Sequence, residues 1–327
     1  MGEETNGNRK GERKTRERDA TCAKPLCKRN AVWNSEYCIL HAEIEKKDPD
    51  DFWEEFKEHF ESGLREYDDS EKPNKVSLNC TNFVFPPQGR WRFPEEIPFN
   101  VDFSFSEFYG EVDFQERTFR GRASFIGAKF KKVPEGLERH VGAYRKYDRR
   151  RDRVHFRGSK FPEYTSFAAT EFECMVNFQE GYFKSLVVFD GGRFLADTDF
   201  SGRHFEKEAS FQNATFEREV LFVDSLFKNE AKFNGSVFEG NTYFSRCEFR
   251  LTGDFTGIES SSYFFLNEIV KEYERDGKGS FVYEDRYRKI ITADAEIHLV
   301  HAQFYGKAKV TLARTLLKNG ALLVLTR

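Results

Sequence analysis

The chain has 327 residues, room for one large domain or two to three smaller ones, and its 52 Lys+Arg against 55 Asp+Glu leave a net charge of -3, which excludes a polycation for nucleic acid and a polyanion alike. Hydrophobic residues make up only 39% and charged residues 33%, yet there are 37 Phe, so aromatic rings must supply burial that aliphatic side chains supply elsewhere. Three of the six Cys cluster near the N-terminus and three are scattered, which is no disulfide framework; with no apolar leader and no run of about 18 apolar residues, a soluble protein of the reducing cytoplasm is expected.

Residues 1–20 carry many charges and almost no apolar side chain, so they are expected to be a disordered tail. Residues 21–46 hold Cys22, Cys27, Cys38 and His41 in the form C-x4-C-x10-C-x2-H. Two short-spaced pairs joined by a loop bring four thiolate or imidazole ligands together at low entropy cost, which suits the closed tetrahedron of a structural zinc ion. The pattern is similar to small zinc-binding modules with a terminal Cys-x-x-His pair. The segment is too short to own a core, so metal would supply its folding energy, and four protein ligands leave no open position for catalysis. The alternative is free thiols in a floppy tail.

Residues 47–98 are assigned to an amphipathic helix and an N-terminal cap. Phe52, Trp53, Phe56, Phe60, Leu64 and Tyr67 recur at helical spacing over residues 51–67, and the acidic polar face favours docking on the rest of the protein over a membrane surface. The Pro- and aromatic-rich stretch at 82–99 is the expected cap for the repetitive region C-terminal to it.

From Phe156 a ring recurs at 161, 167, 172, 178, 183, 189, 194, 200, 205, 211, 216, 222, 227, 233, 238, 244, 249 and 255, in alternating steps of five and six, and an earlier run spans Phe103 to Phe130. Such a fixed period marks a solenoid, and neither an α-helix nor a flat strand places one bulky ring at this spacing. Two residues before each ring the side chain is small or β-branched, as at Val187, Ala209, Val220 and Ala231; only Arg117 and Arg203 break the rule. Positions i and i-2 of an extended backbone face the same way, so one large and one small side chain point inward from every side.

In segments such as ASFQNATFEREVLF and AKFNGSVFEGNTYF the chain resembles the pentapeptide-repeat family in its Phe-centred variety. The resemblance covers about residues 99–261 and implies a mainly β fold, a right-handed quadrilateral parallel β-helix with four short sides per coil. Alternation of five with six makes the coil 22 residues long, with an extra corner residue expected on alternate sides.

Residues 131–155 interrupt the repeat. Pro134, then Leu137, Val141 and Tyr144 along one side, indicate an inserted helix. Its Arg139, Arg145, Lys146, Arg149, Arg150, Arg151 and Arg153 could contact phosphates of nucleic acid or lipid, or lie as a solvated face against the acidic side of the same solenoid. Residues 262–327 are expected to form a helical cap, one helix to about Arg275, a break at Gly277 and Gly279, and a second helix carrying His298 and His301. The final LLKNGALLVL is too short to span a bilayer, leaving a truncated membrane anchor as an open alternative.

No Ser/His/Asp or Cys/His arrangement has a supporting motif and Gly277-Lys278-Gly279 is no phosphate loop, so no catalytic residue is named. The expected role is a non-enzymatic scaffold with a protein partner, the zinc module adding a second contact. The resemblance also implies an alternative, DNA mimicry toward a type II topoisomerase, against which the basic insert speaks; direct nucleic-acid binding is disfavoured. Peripheral association with a membrane surface is the third option.

Overall fold

The computed structural model describes residues 21–262 apart from 33–34, 88–90 and 138–151, and beyond them the backbone of short strands between 264 and 324. The tail at 1–20 and most of the basic insert lie outside the described residues.

One α-helix, α1 (Pro49–Asp69), stands among the described residues. Asp48 caps it by accepting from the Asp50 amide at 2.9 Å, Pro49 opens it, and Asp50 and Asp51 face its positive end. Phe52, Trp53, Phe56, Phe60 and Gly63 form its buried stripe. A side chain at position 63 would press on Leu78 at 3.0 Å, so glycine there lets the helix lie close to the first coil. Phe56 meets Phe85 at 5.1 Å and Phe60 meets Phe99 at 5.2 Å, which closes the N-terminal end of the core.

The rest is a right-handed parallel β-helix whose four walls are parallel sheets of 10, 9, 8 and 7 strands. Within the unbroken ring run, partners on neighbouring strands of one wall are 22 positions apart in sequence, as Val187, Ala209 and Ala231 show. The coil length expected from the ring spacing is therefore the observed one. Inside, the phenyl rings pile into columns. Phe156, Phe178, Phe200, Phe222 and Phe244 stack at 4.6–4.9 Å with planes within 4°. Neighbouring columns meet edge to face, as Phe200 does with Phe211 at 5.5 Å and 86°. Rings stacked at the strand spacing bury both faces, and the edge contacts suit their quadrupoles.

The alternation of five with six has a conformational cause. Most five-residue steps are tight turns in which the ring residue's carbonyl accepts from the amide three positions on, as Phe211 does from Ala214 at 3.1 Å and Phe233 from Ser236 at 3.1 Å. The residue two after the ring takes a positive φ, at Asn213 (55°) and Gly235 (70°) for example, the mark of a type II corner. The small residue at the end of the turn then points inward. Ser225 and Ser236 donate their hydroxyls to the carbonyls of Phe200 and Phe211 in the coil before, at 2.8 and 2.6 Å, so these buried polar groups are satisfied.

Arg203 breaks the small-residue rule and lies wholly buried. Its guanidinium donates to the Glu180 carbonyl at 2.6 Å, to the carbonyls of Phe178 and Phe156, and to the Ser159 hydroxyl, while resting over the Phe183 ring at 4.3 Å. Gly181, one coil back, makes the room: a Cβ there would stand 2.9 Å from Nη1. Burial pulls the group down to about 9, which leaves it charged at neutral pH. Arg117, the other exception, turns outward and donates to the Phe93 carbonyl at 2.8 Å.

Outside, charges on successive coils pair with one another. Arg193 bridges Glu171 and Glu217, Lys228 meets Glu206 at 2.8 Å, Lys232 meets Glu208 at 2.8 Å, and Arg246 pairs with Asp224.

Three expectations are corrected. The stretch at 82–99 is part of the first coil, not a cap ahead of it: Phe85 stacks on Phe108 at 4.4 Å, Phe93 packs on Phe114 at 4.7 Å, and Glu96–Ile97 pairs with the strand Thr118–Phe119. The wall starts still earlier, at Ser77–Asn79. At the other end, where a helical pair was expected, the described residues are strands. Glu272–Arg275 and Phe281–Glu284 form an antiparallel hairpin, and Glu296–His298 and Gln303–Phe304 resume the parallel walls beside Thr252–Asp254 and Glu259–Ser260. The open edge of the coil before them offers hydrogen bonds that a helix cannot use, and Phe-Val-Tyr has strong strand preference. His298 therefore sits in a strand, and His301 lies outside the described residues. For the insert, Val133 and Leu137 pack with Ile44 and Tyr109, and the Val133 amide donates to Asp152 at 3.3 Å across its base.

Candidate metal centre

Two turns present the four ligands. In the first, Cys27 donates its amide to the Lys24 carbonyl and Cys22 to the Arg29 carbonyl, with Leu26 at φ 66°, which folds the C-x4-C segment back on itself. In the second, the Cys38 carbonyl accepts from the amides of His41 and Ala42 at 3.0 and 2.8 Å. The Ala23 amide, bonded to the Glu36 carbonyl at 2.8 Å, ties the two together.

The ligand atoms of Cys22, Cys27, Cys38 and His41 all lie within 4.8 Å of one another. Sγ of Cys27 is 3.7 Å from Sγ of Cys38; Nδ1 of His41 is 3.2 Å from Sγ of Cys38 and 3.6 Å from Sγ of Cys22. A tetrahedral zinc ion with Zn–S near 2.3 Å would set S···S edges of about 3.8 Å and S···N edges of about 3.5 Å. The donor set and its spacing fit such an ion. All six cysteines of the chain are free thiols.

The electrostatics follow from burial and backbone dipoles. Burial pushes the Cys38 thiol up to about 12 despite the amides of Leu40 and His41 that point at it. At Cys22 burial also raises the thiol, but hydrogen bonds from the backbone of Cys38 and Lys24 and from the two neighbouring thiols outweigh it and the net shift is downward. Burial lowers His41 to about 4, against the bond to the Thr81 backbone, so the imidazole is neutral and a lone pair is free to ligate. The ring stands edge-on to Phe83 at 5.0 Å.

The module sits on the open edge of the first coil and satisfies it. The Val84 amide donates to the Leu40 carbonyl at 2.9 Å, and Leu40 lies between the ligands Cys38 and His41. Lys47, almost wholly buried, donates to the Val84 carbonyl at 2.6 Å and stands over the Phe52 ring at 4.7 Å. Burial draws its ammonium well below the usual lysine range, opposed by the nearby Cys38, Glu43 and Glu107. From α1, His59 Nε2 bonds the Asn79 carbonyl at 2.9 Å and Trp53 Nε1 the Pro87 carbonyl at 3.2 Å. Arg29 of the module bonds Glu55 at 2.6 Å and His59 Nδ1 at 3.3 Å. An N–H toward the Asn79 carbonyl makes Nδ1 the acceptor, so His59 is neutral, in keeping with a burial that lowers it.

Sequence reasoning assembled the four ligands but not these edge partners. Lys47 and Arg29 carry no motif, and His59 reads as one more scattered histidine. Of the expected anion-binding group, Arg153 lies exposed in the strand Arg153–His155, and Arg139, Arg145, Lys146, Arg149, Arg150 and Arg151 lie outside the described residues.

Fold and site together define a Phe-filled β-solenoid closed at one end by a Cys3His module and a helix. Within it, residues 204–248 match the protein family described as pentapeptide repeats (9 copies). No curated protein and no solved structure matches the chain. No helix among the described residues is long and apolar enough to cross a membrane.

Proposed function

We propose that the chain is a non-catalytic protein-interaction scaffold, acting in a reducing compartment such as the cytoplasm, with a structural Zn2+ ion held by Cys22, Cys27, Cys38 and His41. The observation that carries this reading is the filled interior: the rings occupy the tube from wall to wall, so recognition falls to outward rows of side chains repeated at the coil spacing. One such row pairs exposed Asp197 with Glu219 on the next coil, and Asp199 lies beside them. Burial and then Asp197 and Asp199 raise the Glu219 carboxyl.

The test has two parts. Metal analysis of the purified protein is expected to find one zinc per chain. Affinity capture with the wild type is expected to recover a protein partner that the Asp197→Lys/Glu219→Lys variant loses while keeping its circular dichroism. Robust turnover of a general substrate panel would end the scaffold reading, and a metal-free, fully folded module would end the zinc assignment. The acid row is also what DNA mimicry would use, but Glu171, Glu206, Glu208 and Asp224 are taken up by inter-coil ion pairs, which weakens the acidic surface that mimicry toward a topoisomerase needs.

A further inference from the structure

A cleft of about 650 Å³ lies beside the helix, where the last turn of α1 and the short 3-10 turn Pro73–Lys75 face two successive coil corners at Pro98–Asn100 and Arg120–Arg122. It is separate from the metal centre and has no part in the scaffold reading. Lys75, Arg120 and Arg122 line it, with Tyr67 and Asn74 on the helix side and Glu163 at the next coil. Arg120 is held by Glu96 through both Nε and Nη2 in an exposed bidentate pair, so it lines the cleft already partnered. Among the described residues no acid pairs with the side chain of Lys75 or Arg122.

The cations are placed by fixed backbone. Asn100 donates from Nδ2 to the Asn74 carbonyl at 3.1 Å and accepts the Arg122 amide on Oδ1 at 2.8 Å, so one side chain sets the turn carrying Lys75 against the corner carrying Arg122. Gly121 lets that corner touch the coil before it: a Cβ would fall 2.5 Å from the backbone of Phe99 and Asn100. Lys75 and Arg122, with the Glu96-bound Arg120 beside them, thus line a space of ligand size. The end of α1 brings the negative pole of its dipole nearby, an effect that is weak in exposed positions and confined to the last turn.

We infer that this cleft binds a small organic phosphate ester. A phosphate monoester carries up to two charges on three terminal oxygens, which matches two unpaired cations and more donors than one carboxylate can accept. Tyr67 and Pro98 provide a surface for the organic part.

The test is titration calorimetry of the full chain at low salt with a nucleoside monophosphate, inorganic phosphate and citrate. Saturable binding of the nucleoside monophosphate is expected, about tenfold weaker in Arg122→Gln and weaker again in Lys75→Gln/Arg122→Gln, with Glu163→Gln binding more tightly. All three variants lie on the surface, and unchanged circular dichroism shows that they fold. Absence of saturable binding, binding of citrate alone, or an unchanged affinity in the double variant would each overturn the inference.

Discussion

Cys38→Ser tests whether the metal centre terminates the solenoid. The first coil takes two groups that depend on the module's fold, the Leu40 carbonyl within it on the Val84 amide and the Lys47 side chain that directly follows it on the Val84 carbonyl. A neutral hydrogen bond contributes about 1 kcal/mol net and one to a charged group about 2 kcal/mol, so their joint loss is worth about 3 kcal/mol at this edge. Every 1.4 kcal/mol is a factor of ten, so exchange of the Val84 amide should quicken by about two decades on Cys38→Ser or on chelation. Amides in the middle coils, such as Phe211, bonded to the Lys232 carbonyl at 2.7 Å, should be unaffected, which separates loss of the cap from unfolding. With its edge exposed, the variant should also self-associate in light scattering. Unchanged protection at Val84 in protein shown to have lost its metal would refute the reasoning.

Other perturbations probe the tube itself. Phe200→Ala removes a ring stacked on Phe178 and Phe222, and should cost about 3–5 kcal/mol in urea unfolding, against about 2 kcal/mol for Phe200→Leu, which keeps most of the volume. Gly181 and Gly191 share a positive φ, 68° and 64°, but differ in space: a Cβ at 181 would stand 2.2 Å from the Ser159 carbonyl, and at 191 nothing lies within 4 Å. Gly191→Ala should therefore cost about 1 kcal/mol and Gly181→Ala more than about 3 kcal/mol; equal melting temperatures would contradict the packing described. Burial lowers His59, so the unfolded chain takes up a proton that the folded one refuses as pH falls below the usual imidazole range. Stability from this group is complete above that range and lost on acidification, and His59→Gln should flatten the acid limb of a stability profile.

The ring spacing made the tube legible because one residue type fills one kind of position without a gap from Phe156 to Phe255. Where the occupant changes, the period disappears from view although the coil continues. Cys80 and Ile97 hold places that Phe103 and Phe119 hold one coil later, so the first coil could not be found by counting Phe. Beyond 261, Ile297 stands opposite Gly253 and Phe304 opposite Ser260 after an intervening hairpin, and a helical reading of the same residues resulted. The Cys3His cluster was legible because its spacing is local. The edge partners Lys47, His59 and Trp53 were not, since each is defined by a carbonyl brought to it only by the fold.

That difference bears on the role of the N-terminal module. An added contact for a partner would place its ordered groups outward, free of the coil. Here the carbonyl between two ligands is taken up by Val84, and Arg29 of the same loop is tied to Glu55 and His59 of the helix. A stack of identical coils has no intrinsic end, because each finished coil presents the same unpaired groups that templated it. A polar cap ends the stack only if its own groups are held still. Residues 21–46 bury few side chains, Cys22, Cys38, Leu40, Ala42 and Ile44 among them, so an ion held by the Cys3His cluster would supply much of the rigidity. On the proposed zinc assignment, metal occupancy and the ordering of the Leu40 carbonyl at the first coil's edge would be one property, and loss of the ion would free that edge.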